Sequence, residues 1–328
     1  MNNRKIQNNI ASSSSASKAQ QGFSLIEFMV SIVISMAVVI AASYVFLNSR
    51  ETQRTLSEKS MMFESARFAM DLIGRDIENA GFYPVIRIEN IPAGGRTTAQ
   101  EYERPSSGAH AAFNNPVFGC NATVFSAAAT SGCTTHSAST TGDTLVVNYY
   151  SNDEATLDTG QRADCTRADS ADATENSSRK ATGLLRPLKP LFVSNRYTLA
   201  PTVTTIEGKT INTFSLACNG NGANSTTYTP FVAGIDQMRF AYMVRTGTRP
   251  NFQHQFLAAG SVTDWSRVVG VRVCLLARSL ETSRLQGGTS YSINDCTGTS
   301  QSYIDGIQRR VFTQIYAIKS RLTDSVVP

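Results

Sequence analysis

Three regimes of hydrophobic and polar residues follow one another along this chain of 328 residues. Residues 23–47 are apolar on every side and carry one charge, Glu27. A run of that length meets the roughly 20 apolar residues that a membrane-crossing helix needs. From Asn48 to Ala80 there is no proline, and Gly74 is the one glycine. Phe63, Ala66, Met70, Ile73 and Ile77 recur at spacings of three and four, which places them on one helical stripe. Arg67, Asp71 and Arg75 occupy another face at i, i+4 spacing. Gly81 followed by Pro84 is a stop signal. The pattern predicts one unbroken helix from about residue 23 to about residue 80, roughly 85 Å long. Its first half, 23–47, would meet lipid or other apolar helices, and its second, 48–80, would dock on a folded head. Ser31, Ser35 and Ser43 are placed to bond carbonyls one turn back.

The third regime, residues 81–328, is rich in Ser, Thr, Gly, Asn and Ala. Four runs read as strands: Leu145–Tyr150, the alternating Gln237–Val244 with Met238, Phe240, Tyr242 and Val244 inward, Val268–Leu276, and Arg310–Ile318. With the helical stripe they predict an α+β protein, in which an antiparallel sheet packs on the second half of the helix.

A lone acid inside an apolar span costs a few kcal/mol or more, so Glu27 requires a partner. It lies five residues after Gly22. A cut between Gly22 and Phe23 would create an amine on Phe23, able to pair with Glu27 of the same chain or of a neighbour. Residues 1–22 hold Arg4, Lys5 and Lys18 and no acid, which suits a segment left on the cytoplasmic side. The formal charge of +5 falls to +2 once those three are removed, 5 − 3. So small a charge gives no electrostatic case for nucleic-acid binding. The six cysteines, Cys120, Cys133, Cys165, Cys218, Cys274 and Cys296, all lie beyond the span, on the side where disulfides persist. Six allow 15 pairings. Proximity favours Cys120–Cys133 and Cys274–Cys296, leaving Cys165–Cys218.

Gly22-Phe23-Ser24-Leu25-Ile26-Glu27 resembles the processing site of type IV prepilins and of the related type II secretion pseudopilins. The resemblance implies that a prepilin peptidase cuts after Gly22 and methylates Phe23, and that Glu27 guides subunit packing. It also implies a pilin-like fold whose apolar half is a membrane anchor before assembly and filament core afterwards. Asp71–Phe82, Val271–Ser279 and Arg309–Thr313 resemble the helix end and C-terminal strands of PilW-type minor pilins. The implied role is a structural minor pilin, without enzymatic activity or cofactor, in a complex that primes pilus assembly near the tip. The implied partners are other minor pilins, the major pilin, the inner-membrane assembly platform and a tip adhesin. The implied location is the inner membrane with the head periplasmic, then the pilus surface. A J-type pseudopilin of type II secretion is the alternative. Glu27 argues against the K type.

Little other chemistry is visible. His110, His136 and His254 do not pair at metal-ligand spacing, and no nucleophile motif or phosphate loop occurs. This weighs against a membrane-anchored periplasmic enzyme. Asp153, Glu154, Asp158, Asp164, Asp169, Asp172 and Glu175 do not follow the ligand order of an EF-hand and read as a solvated loop. Trp265 reads as a core or strand-edge residue, Phe82 and Tyr83 as packing at the turn, and Gly94-Gly95 and Gly287-Gly288 as loop punctuation.

Overall fold

The computed structural model describes residues 22, 24–82, 115–125, 132–135, 142–151, 164–166, 191–206, 208–221, 227–248, 251–282 and 288–322. The chain divides into two compact units, Met1–Thr52 and Gln53–Pro328. One helix, α1 (Leu25–Asn79), supplies residues to both. In the first unit its apolar side chains are exposed throughout, and the helix is long and apolar enough to cross a membrane. Ser31 donates to the Glu27 carbonyl, Ser35 to those of Ser31 and Ile32, and Ser43 to that of Val39. These hydroxyls are therefore satisfied without water, as an apolar setting demands.

The second unit is a β-rich head. Its strands are β1 (Val117–Cys120), β2 (Thr123–Phe125), β3 (Cys133–Thr135), β4 (Thr144–Ser151), β5 (Leu191–Ile206), β6 (Lys209–Asn219) and β7 (Thr229–Ala233). There follow β8 (Ile235–Thr246), β9 (Gln253–Leu257), β10 (Val268–Arg278), β11 (Tyr291–Asn294), β12 (Ser300–Tyr303) and β13 (Arg309–Ala317), then a short helix α2 (Lys319–Leu322). They form two antiparallel sheets, in the orders β1-β4-β5-β6-β7 and β13-β10-β8-β9, and two hairpins, β2–β3 and β11–β12. The chain passes from the first sheet to the second at Gly234, whose φ of 85° is open to glycine at little cost. There Gly234 N–H donates to the Phe214 carbonyl at 3.0 Å, and Arg278 N–H donates back to Gly234 at 2.9 Å.

The expected single sheet is thus two. The sequence pattern picks out β4, β8, β10 and β13, whose inward residues alternate or run apolar. It passes over β5 and β6, which are dense in Ser, Thr and Asn. Pro201 within β5 argues against a strand, yet it is tolerated for a structural reason. β4 pairs with β5 only as far as Tyr197, so among the described residues Pro201 has β6 on one side and no strand on the other.

The helix buries Met62, Ala66, Ala69, Met70, Ile73, Gly74 and Ile77 into one core with residues of both sheets. Fully buried Ile73 and Ile77 each contribute about 1.5–3 kcal/mol by removal from water. Phe63 departs from the expected stripe. It is 39% exposed, and its ring stands edge-on to Phe312 at 5.3 Å while the Arg310 guanidinium covers it. Met62 and Ala69 take the inward positions instead. Of the predicted charge pairs, Asp71 meets Arg75 at 2.6 Å. The helix ends where Gly81 takes φ 66° and donates to the Asn148 carbonyl at 2.7 Å.

Candidate functional site

The N-terminal segment is built by helix-end physics. Ser24 precedes the first helical residue, and its carbonyl accepts the Phe28 N–H at 3.1 Å. Glu27 reaches back, and its Oε2 accepts the Ser24 N–H at 3.2 Å. That is the return half of a capping box, in which an acid at the third helical position satisfies a donor the helix cannot. Glu27 therefore has a local role at the start of α1, with one carboxylate oxygen engaged and the side chain exposed. A Cβ on Gly22 would meet nothing within 4 Å. Among the described residues no packing demands a glycine there. Phe23 lies outside the described residues.

All six cysteines are paired. Cys120 joins Cys133 across the β1 and β3 segments, Cys165 joins Cys218 of β6, and Cys274 of β10 joins Cys296 in the β11–β12 turn. Their sequence separations are 13, 53 and 22 residues. In the chain-entropy picture the Cys165–Cys218 bridge constrains the unfolded chain most.

The remaining candidates resolve into structure. Trp265 packs on Phe118 and Tyr242, with ring centroids at 4.8 and 4.7 Å. His254 is exposed on the edge strand β9; His110 and His136 lie outside the described residues. Asp164 is buried and accepts from the backbone and hydroxyl of Thr166 at 2.8 and 2.6 Å. Asp153, Glu154, Asp158, Asp169, Asp172 and Glu175 lie outside the described residues, as do Pro84, Tyr83, Gly94-Gly95 and Gly287. Phe82 is exposed, and Gly288 takes a positive φ of 82° in a turn. Among the described residues no group of three His, Cys, Asp or Glu could hold a metal ion.

Three polar clasps in the head escape a reading of the sequence. Asp76 accepts from Tyr149 Oη at 3.3 Å, Asn195 Nδ2 at 2.6 Å and Tyr197 Oη at 2.6 Å, fastening α1 to the first sheet. Burial pushes the Tyr197 hydroxyl well above its ordinary pKa, and the Asp76 charge and hydrogen bond add to the effect. Asp143 ties the first sheet to the second. It accepts from Arg239 Nη1 at 2.7 Å, Phe240 N at 3.0 Å and Ala122 N at 2.9 Å. Arg309 holds Asp236 and Asp305 at 2.7 Å each and lies over the Tyr303 ring. Burial opposes its charge, but hydrogen bonds to both acids more than offset this and raise its pKa. The Arg309 hydrogen bond lowers the pKa of Asp305 in turn. Asp76 in the helix, Asp236 in β8, and Asp143 and Asp305 between strands look like solvated charges until the fold supplies their donors.

The comparisons with known proteins bear on both ends of the chain. Residues 17–43 match the model of the prokaryotic N-terminal methylation motif. Residues 198–320 match the model of PilW, Type IV Pilus-assembly protein W. The chain thus carries a PilW domain behind an N-terminal methylation motif, the make-up of a type IV pilus minor pilin. The PilW match spans the second sheet entire, together with β6, β7 and part of β5. The methylation-motif match contains Gly22, Glu27 and most of the apolar run. No curated protein matches. Among solved structures, a type IV-like pilin from Thermus thermophilus aligns over 78% of this chain and 95% of its own, at 10% identity and a TM-score of 0.35. As a pilin, the PilW-type chain is a structural component anchored through its apolar N-terminal helix, and it works with other pilus components.

Proposed function

We propose that this PilW protein is made as a prepilin, cut between Gly22 and Phe23 by the prepilin peptidase and methylated on Phe23. In this reading residues 1–22 stay cytoplasmic, 23–47 cross the inner membrane, 48–80 continue the helix, and 81–328 form the periplasmic head. The processed chain enters a priming complex with other minor pilins and the major pilin on the inner-membrane assembly platform. It ends near the pilus tip, where an adhesin is carried. It is not an enzyme, takes no cofactor and makes no direct nucleic-acid contact.

The supporting observation is the pairing of Gly22 and Glu27. Among the described residues nothing needs a glycine at position 22, as expected of a residue read by a peptidase. Glu27 lies one helical turn beyond, with a carboxylate oxygen left for a further donor. Once the helix leaves lipid for a filament core, an unpaired charge there is expensive, and breaking such a pair costs several kcal/mol. The amine of Phe23, from this chain or its neighbour, supplies the counter-charge. Glu27→Gln keeps the side chain's shape and removes its charge. Membrane insertion and cleavage should be unchanged, while recovery with the other minor pilins and the number of filaments fall. Equal recovery and equal piliation would refute the role given to Glu27.

A further inference from the structure

Four strands border the two sheets, and three of them are poor templates for another strand. β1 has four residues and β9 five. β7 has five, includes Pro230, and shifts register against β6 at Leu216/Ala217. Short strands, prolines and bulges are the usual protections of a sheet edge. β13 differs. It runs nine residues without proline and pairs with β10 without a register shift.

The direction of its backbone groups follows from one hydrogen bond. Ile318 N–H donates to the Val269 carbonyl at 2.9 Å, which marks 269 and 318 as a hydrogen-bonded pair. Antiparallel pairing alternates. Residues 310, 312, 314 and 316 therefore aim their N–H and C=O groups at β10, and Val311, Thr313, Ile315 and Ala317 aim theirs outward. Among the described residues nothing pairs with that outward edge. The β11–β12 hairpin reaches only its first residue, where Arg309 donates to Tyr291 Oη at 3.1 Å. Side chains beside the edge are receptive as well. Ile315 is 53% exposed, Thr313 and Gln314 are exposed, and Val311 is half-buried.

Charge selects the occupant. Residues 309–321 contain four cations and no acid. Arg309 and Lys319 are used inside the fold, by Asp236 and Asp305 and by Glu78. Arg310 lies over Phe63, and neither it nor Arg321 has an acid at ion-pair distance among the described residues. We infer that the open edge of β13 accepts an extended, acidic segment of another pilus subunit, which adds to the second sheet as a fifth strand. Backbone hydrogen bonds would supply affinity, and the flanking arginines the preference for acids. The inference rests on the reading of this chain as a pilus-assembly component.

The test uses the processed full-length chain in detergent, alone and co-purified with the minor pilins expressed beside it. Hydrogen exchange of the Val311, Thr313 and Ile315 amides should be fast in the isolated chain and slow by about tenfold or more in the complex. A photo-crosslinking residue at position 315 should capture a net-acidic segment of a different subunit. Thr313→Pro removes an outward N–H and no ladder bond, and Arg310→Glu reverses the charge. Each should lower recovery of the complex by about fivefold. Ile315→Lys serves if the proline variant fails to fold. Fast exchange within the complex would overturn the inference, as would protection already present in the isolated chain. Capture of a second copy, or of a neutral or basic segment, would also overturn it. Failure of the wild-type chain to co-purify with any pilin would refute the functional reading first, and this inference with it.

Discussion

Replacing Gly74 by alanine sets two physical effects against each other. In an exposed helix interior the change stabilises by about 1 kcal/mol, because alanine loses less backbone freedom on folding. Here the Tyr316 ring lies across the bare Cα. A Cβ would fall 2.2 Å from Cε1, 2.5 Å from Cζ and 2.8 Å from Cδ1 of that ring. The ring cannot yield cheaply, since its hydroxyl donates to the Met70 carbonyl at 2.8 Å, one turn earlier on the same helix. Overpacking of this kind costs about 1–3 kcal/mol, and loss of the hydrogen bond about 1 kcal/mol more. Set against the propensity gain, the net expectation is destabilisation by about 1–3 kcal/mol. The assay is urea unfolding of residues 53–328, which hold the whole buried core, followed by circular dichroism and by the fluorescence of Trp265, the single tryptophan. In a Tyr316→Ala background the clash is gone, and Gly74→Ala should then stabilise by up to about 1 kcal/mol. A neutral or stabilising Gly74→Ala in the wild-type background would refute the reasoning.

Two further outcomes follow from the buried polar groups. Asp76→Ala strands the donors of Asn195 and Tyr197 in the core and should cost about 2–6 kcal/mol in the same unfolding assay, at about 1–3 per orphaned group; a loss below 1 would contradict the clasp. Burial, aided by the Asp143 charge, raises the pKa of Tyr242, and burial with nearby Asp71 and Glu78 pushes Tyr316 up to about 12. Their contribution is fully present below the unfolded phenol value of about 10 and is lost as pH rises past it, because the unfolded chain ionises first. Unfolding should therefore become easier as pH rises from about 10 to about 12, and less steeply so in Tyr242→Phe; a flat profile would contradict this.

The helix and its division into two halves were legible because a period of 3.6 and an uninterrupted apolar run leave few alternatives. β4, β8, β10 and β13 were legible for the same kind of reason, since their inward residues are large and apolar. β5 and β6 were not. Their buried positions include Ser194, Asn195, Thr198, Thr213 and Ser215, which a reading of hydrophobic period counts as solvent-facing. Those polar residues are buried because partners arrive from elsewhere in the chain, as Asn195 meets Asp76 from a position 119 residues away. Phe63 was placed in the core by its spacing, but β13 meets it only through Phe312 and Arg310 and leaves it 39% exposed. At the N-terminus, Gly22 and Glu27 stood out in the sequence because each breaks a local rule. The capping bond from Ser24 needed the structure.

The central claim is that this chain is a processed pilin carried in pili. Mass spectrometry of the protein recovered from sheared pili tests it most directly. The account predicts an N-terminal peptide beginning at Phe23 with one methyl group on its amine. Pilus-incorporated protein that retains residues 1–22, or that begins elsewhere than Phe23, would contradict it.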